Sequence, residues 1–152
     1  MITIKKIVFA TDFSDCASAA QEYAGAFADQ FRAELHVLHV MPDVTMMFPD
    51  PGTALSLPQN YLGELKKDAE ASLAKVFPDA QKEGRKVVRS VRMGNPFVEI
   101  LKYTEENHAD LIIVGTHGRG ALMHLLMGSV AEKVVRKAKC PVLSVGLPGH
   151  PA

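Results

Sequence analysis

The sequence predicts an α/β fold: one domain built on an open five-stranded parallel sheet of order 3-2-1-4-5, with helices on both faces. Three observations carry that expectation. Five short runs rich in β-branched residues recur along the chain: IKKIVFA, ELHVLHV, KVVRSVRM, DLIIVG and PVLSVG. Longer segments between them have helical period or room for a helix, so each strand reaches the next by a crossover, which favours parallel pairing. A length of 152 residues without internal repeat, low-complexity tract or linker suits a single domain, residues 1–152, with its core at about 4–145.

The elements follow in order. IKKIVFA opens the sheet, and in the segment after it Ala20, Tyr23, Ala24, Phe27 and Phe31 recur at three- and four-residue steps, with Ser14 placed to cap the helix start. After ELHVLHV, the stretch 41–58 carries Pro42, Pro49, Pro51 and Pro58 and no clear period, so it reads as a long surface loop. A helix from about Gln59 runs to the break imposed by Pro78. Asn95 and Pro96 mark the start of FVEILKYTEEN as cap and first helical residue. The last helix spans Ser129 to Lys139, and Pro141 opens the last strand.

Bulk composition excludes several classes. Lysine plus arginine balance aspartate plus glutamate at 17 each, so no net field favours nucleic acid or an anionic membrane. No apolar run approaches the roughly 20 residues that span a bilayer, and MITIKKIVFATD lacks the length and cleavage site of a signal peptide. A cytoplasmic location is the expectation. Cys16 and Cys140 form no CxxC pair and read as two reduced thiols, with Cys16 near a helix start as a minor redox reading.

The chemistry concentrates in GTHGRGALMHLLMGS, residues 115–129, which holds four glycines and follows an apolar strand. In open α/β sheets ligands bind beyond the carboxyl ends of the strands, where strand order reverses. With order 3-2-1-4-5 the reversal falls between strands one and four, so ATDFS and GTHGRG would face one crevice. Glycines let backbone N–H groups approach an anion, and Gly128 and Ser129 stand where the last helix begins, with its unpaired donors and positive dipole end. Ser129 either adds a hydroxyl donor or caps its own helix. Asp12 either accepts hydrogen bonds from a ligand or helps cap beside Ser14. Arg119 suits phosphate contact if it is not simply solvated, and His117 has no identified carboxylate to orient it as a catalyst. The spacing GxxGxG is not the dinucleotide GxGxxG, and Ser129 stands where a P-loop needs lysine. Neither HxGH nor SGGxDS is present, which disfavours adenylyl transferases and pyrophosphatase-type ligases.

The spacing Gly115-x2-Gly118-x9-Gly128-Ser129, with IVFATDFSDCASAAQEYA in front and CPVLSV behind, resembles the universal stress protein family in its ATP-binding branch. The resemblance runs from about Ile4 to Val145. It implies a Rossmann-like domain, akin to the adenine nucleotide alpha hydrolases, that binds ATP, ADP or AMP, with Mg2+ accompanying the nucleotide. It also implies a role in stress response and a homodimer, for which the apolar edge strand 142–145 is the natural contact. Carried over by position, Asp12 would meet the adenine or ribose, flanked by Ala10 and Thr11, and the backbone near Val40 would contact adenine. Val114 would wall the pocket, Gly115 and Gly118 would lie along ribose and the first phosphates, and Gly128, Ser129 and Val130 would receive the phosphate tail. Many relatives have proline where this chain has Ala10. The expectation is a nucleotide-dependent regulatory protein with slow or no hydrolysis; the alternatives are a slow ATPase or autophosphorylating enzyme, and a dimeric interaction module with a structural nucleotide.

Overall fold

The computed structural model describes residues 1–117 and 127–147. The elements are β1 (Lys6–Ala10), α1 (Asp15–Phe31), β2 (Glu34–Met41), α2 (Val44–Met47), α3 (Pro51–Leu55), α4 (Tyr61–Ala74), β3 (Val87–Met93), α5 (Pro96–Glu106), β4 (Leu111–Gly115), α6 (Ser129–Lys137) and β5 (Val142–Val145). All neighbouring strands pair in parallel in the order β3-β2-β1-β4-β5. The predicted order is the observed one.

Strand alternation divides the core into two layers. Ile7, Phe9, Leu35, Val37 and Ile113 pack against α1 and the Leu73 end of α4 on one side. Val8, Leu38, Ile112 and Val114 meet Ile100 and Tyr103 of α5 and Ala131 and Val134 of α6 on the other. Both faces are covered, which is why the central strands read as continuous apolar runs. Burying each large side chain such as Phe9 or Leu35 contributes about 1.5–3 kcal/mol.

Helix α1 turns Ala17, Ala20, Ala24 and Ala28 inward, and these small residues let its axis lie close to the sheet. Ser14 caps it as expected, accepting a hydrogen bond from Ala17 N at 3.3 Å. Asn95 holds the cap position of α5 but makes no side-chain cap bond, so only its backbone and Pro96 define that start. The last helix ends at Lys137, two residues short of the expected Lys139, with Ala138 already extended. The expected loop 41–58 is partly ordered: Asp43 accepts from Met46 N and Asp50 from Thr53 N, and each nucleates a single helical turn. Turns of four and five residues are too short to show a period, which is why periodicity misses them.

A polar cluster ties β2, β3 and α5 together. The Glu34 carboxylate pairs with Lys86 and accepts a hydrogen bond from buried His36 Nε2 at 2.7 Å. His36 Nδ1 lies 2.8 Å from the Tyr103 hydroxyl, itself 3.1 Å from Ser90 Oγ. The hydrogen bond from Lys86, and secondly that from His36, holds the Glu34 carboxyl below the usual glutamate range against the opposing effect of burial. A carboxylate whose pKa is depressed by folding stabilises the fold above its unfolded pKa and loses that contribution as pH falls through the folded value. Glu34→Gln should therefore lower the melting temperature at pH 7, and the difference from wild type should shrink as pH drops below the ordinary value of 4.5. Thermal melts at pH 7 and pH 3.5 check this; a constant difference would show that ionisation of Glu34 contributes nothing.

Candidate functional site

The site begins with unequal strands. The last β1–β2 pair is Ala10 with Leu38, after which β2 continues through His39, Val40 and Met41 alongside β3 alone. Thr11 N donates to Leu38 O at 2.9 Å, so the backbone groups of Leu38 face β1. In a parallel ladder successive residues turn their N–H and C=O groups to alternate sides. Gly94 N accordingly takes Met41 O, at 2.9 Å, on the β3 side. Val40 then faces the same way as Leu38, with its N–H and C=O directed over the end of β1 where no strand continues.

Beyond Ala10 the chain turns sharply. Thr11 Oγ1 accepts from Phe13 N at 3.0 Å, and Asp12 Oδ1 accepts from Ser14 N at 3.0 Å. Asp12 therefore shapes the turn in front of α1 while Ser14 caps the helix, and Asp12 also faces the crevice. Phe13 takes a left-handed backbone conformation with φ of 63°, which is unfavourable for a bulky residue. It is held there by the ring of His39, 4.6 Å away centroid to centroid, and His39 Nδ1–H donates to Thr11 O at 2.8 Å.

The opposite wall is the start of α6. Gly128 occupies the cap position and its N–H donates to Thr116 O at 2.6 Å, tying the helix start to the end of β4. The intrahelical ladder begins with Glu132 N on Gly128 O, at 2.9 Å. The N–H groups of Ser129, Val130 and Ala131 precede that ladder and point out of the helix with its positive dipole end. Ser129 is the first helical residue and Gly128 the cap, so Ser129 does not occupy the cap position of its own helix.

These parts enclose a cavity of about 800 Å³. It is lined by Ala10, Thr11, Asp12, Val40, Val114, Gly115, Gly128, Ser129 and Val130, nine of the eleven residues expected at the site. Gly118 and Arg119, like the whole stretch up to Met127, lie outside the described residues. His117 also lines the cavity; its Nδ1 is 3.0 Å from Thr116 Oγ1, and its carbonyl accepts from Ser14 Oγ at 3.5 Å. Sequence reasoning missed Phe13, His39, Pro96 and Ile100, and the wall supplied by α4. The histidine had a signal: a polar residue near the carboxyl end of a mainly apolar strand. Among the described residues no group of three or more His, Cys, Asp or Glu is arranged to hold a metal ion, and no helix is long and apolar enough to cross a membrane.

The fold coincides with that of known proteins. The model of the universal stress protein family matches residues 3–146. The chain belongs to that family. Universal stress protein MJ0531 of Methanocaldococcus jannaschii is 38% identical over 145 residues, covering 95% of this chain and 83% of the relative. Universal stress protein YxiE of Bacillus subtilis is 30% identical, covering 92% and 97%. Among solved structures, protein MJ0577 of the same archaeon superposes with a TM-score of 0.83 at 29% identity, covering 97% of this chain and 99% of that one. A universal stress protein crystallised in complex with cAMP superposes with a TM-score of 0.68 at 25% identity, covering 95% and 98%.

Gly115 has a reason the family motif does not give. A Cβ there would lie 2.8 Å from the carbonyl carbon and 2.9 Å from the Cβ of Cys16, so β4 can approach α1 only if this residue is glycine. Because the clash is with helix backbone, the neighbour cannot swing away. Gly115→Ala should destabilise the protein by about 1–3 kcal/mol in urea unfolding without any ligand present. An unchanged midpoint would mean that α1 shifts freely and that the glycine serves the cavity alone.

Proposed function

We propose that this universal stress protein is a regulatory protein that binds an adenine nucleotide in the strand-end cavity. The base lies against the backbone edge of Val40 and the phosphates lie at the start of α6. One observation carries the reading: an open backbone donor and acceptor at Val40 and a row of unladdered N–H groups at Ser129–Ala131 border the same cavity. Adenine presents a ring acceptor beside an amino donor, complementary to the N–H and C=O of one residue; guanine presents the reverse pattern. Helix N-termini bind phosphates through the same donors and dipole. Asp12, between them, suits the ribose hydroxyls, with Ala10, Thr11 and Val114 as walls and Gly115 allowing close approach. The related protein crystallised with cAMP supports an adenine nucleotide as the ligand class. ATP is our first choice, with Mg2+ arriving on its phosphates, and ADP and AMP would use the same contacts. The nucleotide acts by occupancy, altering shape or partners in the cytoplasm during stress, and turnover is slow or absent.

Calorimetric titration of nucleotide-stripped protein with Mg·ATP and Mg·GTP, followed by chromatography of the mixture, tests this. Saturable binding that prefers ATP and leaves it intact is the expected result; accumulating ADP would make the protein a slow ATPase instead. No binding of either nucleotide would overturn the reading and favour an interaction module. Gly128→Asp puts a carboxylate at the phosphate position while keeping a favoured cap residue, so ATP affinity should fall about tenfold or more with little change in melting temperature.

We also propose a homodimer formed through β5, an edge strand whose outer backbone groups have no partner strand within the sheet. Light scattering coupled to size exclusion should give a mass near 33 kDa, about twice the 16.5 kDa chain. A monomer at high concentration would contradict it.

A further inference from the structure

The cavity extends past the residues assigned above to the nucleotide. Along β2, even-numbered residues face α5 and α6 while odd-numbered residues face α1 and α4, as the partners of Leu38 and Val37 show. Val40 therefore belongs to one face of the sheet, and His39 and Met41 to the other. All three line the same cavity, which wraps over the carboxyl end of β2 and continues on the α4 side. Its wall there is a single helix face, Leu65, Asp68, Ala69 and Ser72, spaced i, i+3, i+4, i+7. Phe13 and Met41 complete it, and the tilted rings of Phe13 and His39 line the same cavity.

The two ends of the cavity differ in charge. The α6 end offers backbone N–H groups and the positive end of a helix dipole. The α4 end offers the carboxylate of Asp68, which has no ion pair within 4 Å among the described residues and sits between the apolar Leu65 and Ala69. Ser72, one turn further on, adds a hydroxyl. An apolar surface bounded by one carboxylate complements a group with an aliphatic stem and a cationic head, the amphipathic pattern of a lysine side chain.

We infer that the α4 lobe is a second binding subsite that takes a short alkylammonium group, its stem on Leu65, Met41 and Ala69 and its charge on Asp68. That this subsite lies beside a nucleotide base rests on the reading above; that it binds an alkylammonium group does not. Two sources share this chemistry: a free aliphatic diamine, and an aminoalkyl substituent carried on the base itself.

The test has one arm for each source. Pentane-1,5-diamine and pentan-1-ol are titrated into nucleotide-free protein at fixed ionic strength. N6-(6-aminohexyl)-ATP is compared with N6-hexyl-ATP. In at least one arm the ammonium probe should bind about fivefold tighter than its uncharged counterpart. Asp68→Asn, a change on an exposed helix position, should abolish that advantage while leaving the affinity for ATP itself unaltered. If neither ammonium probe outperforms its counterpart, or if the advantage survives in the Asp68→Asn protein, the inference is overturned. If ATP binds and no probe depends on Asp68, only this inference falls. If ATP does not bind but the diamine depends on Asp68, the nucleotide reading falls and the subsite stands.

Discussion

The hydrogen bond from Thr11 N to Leu38 O is the last backbone link between β1 and β2, and the rest of the site follows from its position. Because β1 stops there, β2 runs on beside β3 alone and Val40 is left with an uncovered backbone edge. The turn that replaces β1 must reverse within a few residues, and it does so through Thr11 and Asp12 bonds to the N–H groups two residues on. Its cost is the left-handed Phe13, of order 1–2 kcal/mol, offset by the His39 ring and by the His39 bond to the Thr11 carbonyl. The same bond joins the turn to the overhanging part of β2, so the two edges of the crevice are fixed to one another.

On the other side of the crevice, precision comes from close packing. Small residues on α1 and the missing Cβ of Gly115 bring β4 and α1 together. The bond between Gly128 N and Thr116 O then sets where α6 begins relative to the end of β4. A glycine at the α6 cap supplies no side-chain acceptor to the first N–H groups, which a serine or aspartate cap would have done. Open donors at a helix start are unfavourable unless water or a ligand satisfies them, so this end of the helix is better suited to binding than to stability.

Much of this was legible in the sequence, for identifiable reasons. Five β-branched runs separated by crossovers leave few topologies, and the switch point follows once the order is chosen. Glycine spacing and the residues after the first strand then point to Asp12, Gly128 and Ser129 around one crevice, while Val40 and Val130 entered only through the family resemblance. Short-range capping without a period hid α2 and α3, even though Asp43 and Asp50 announce both. The packing role of Gly115 depends on Cys16, far away in sequence, and nothing local reveals such a contact. The α4 wall was equally invisible, because its helix face reads as ordinary amphipathic surface until the end of β2 is seen beside it.

The central claim is that Val40 and the start of α6 are two ends of one ligand site. Amide chemical-shift mapping with 15N-labelled protein and Mg·ATP tests it most directly. The Val40 amide and those of Ser129, Val130 and Ala131 should shift along a common saturation curve, while amides at the opposite end of the sheet, such as Lys6 and Glu34, stay still. Shifts confined to one of the two groups, or saturating at different concentrations, would contradict a single site, and shifts centred elsewhere would remove the crevice from consideration.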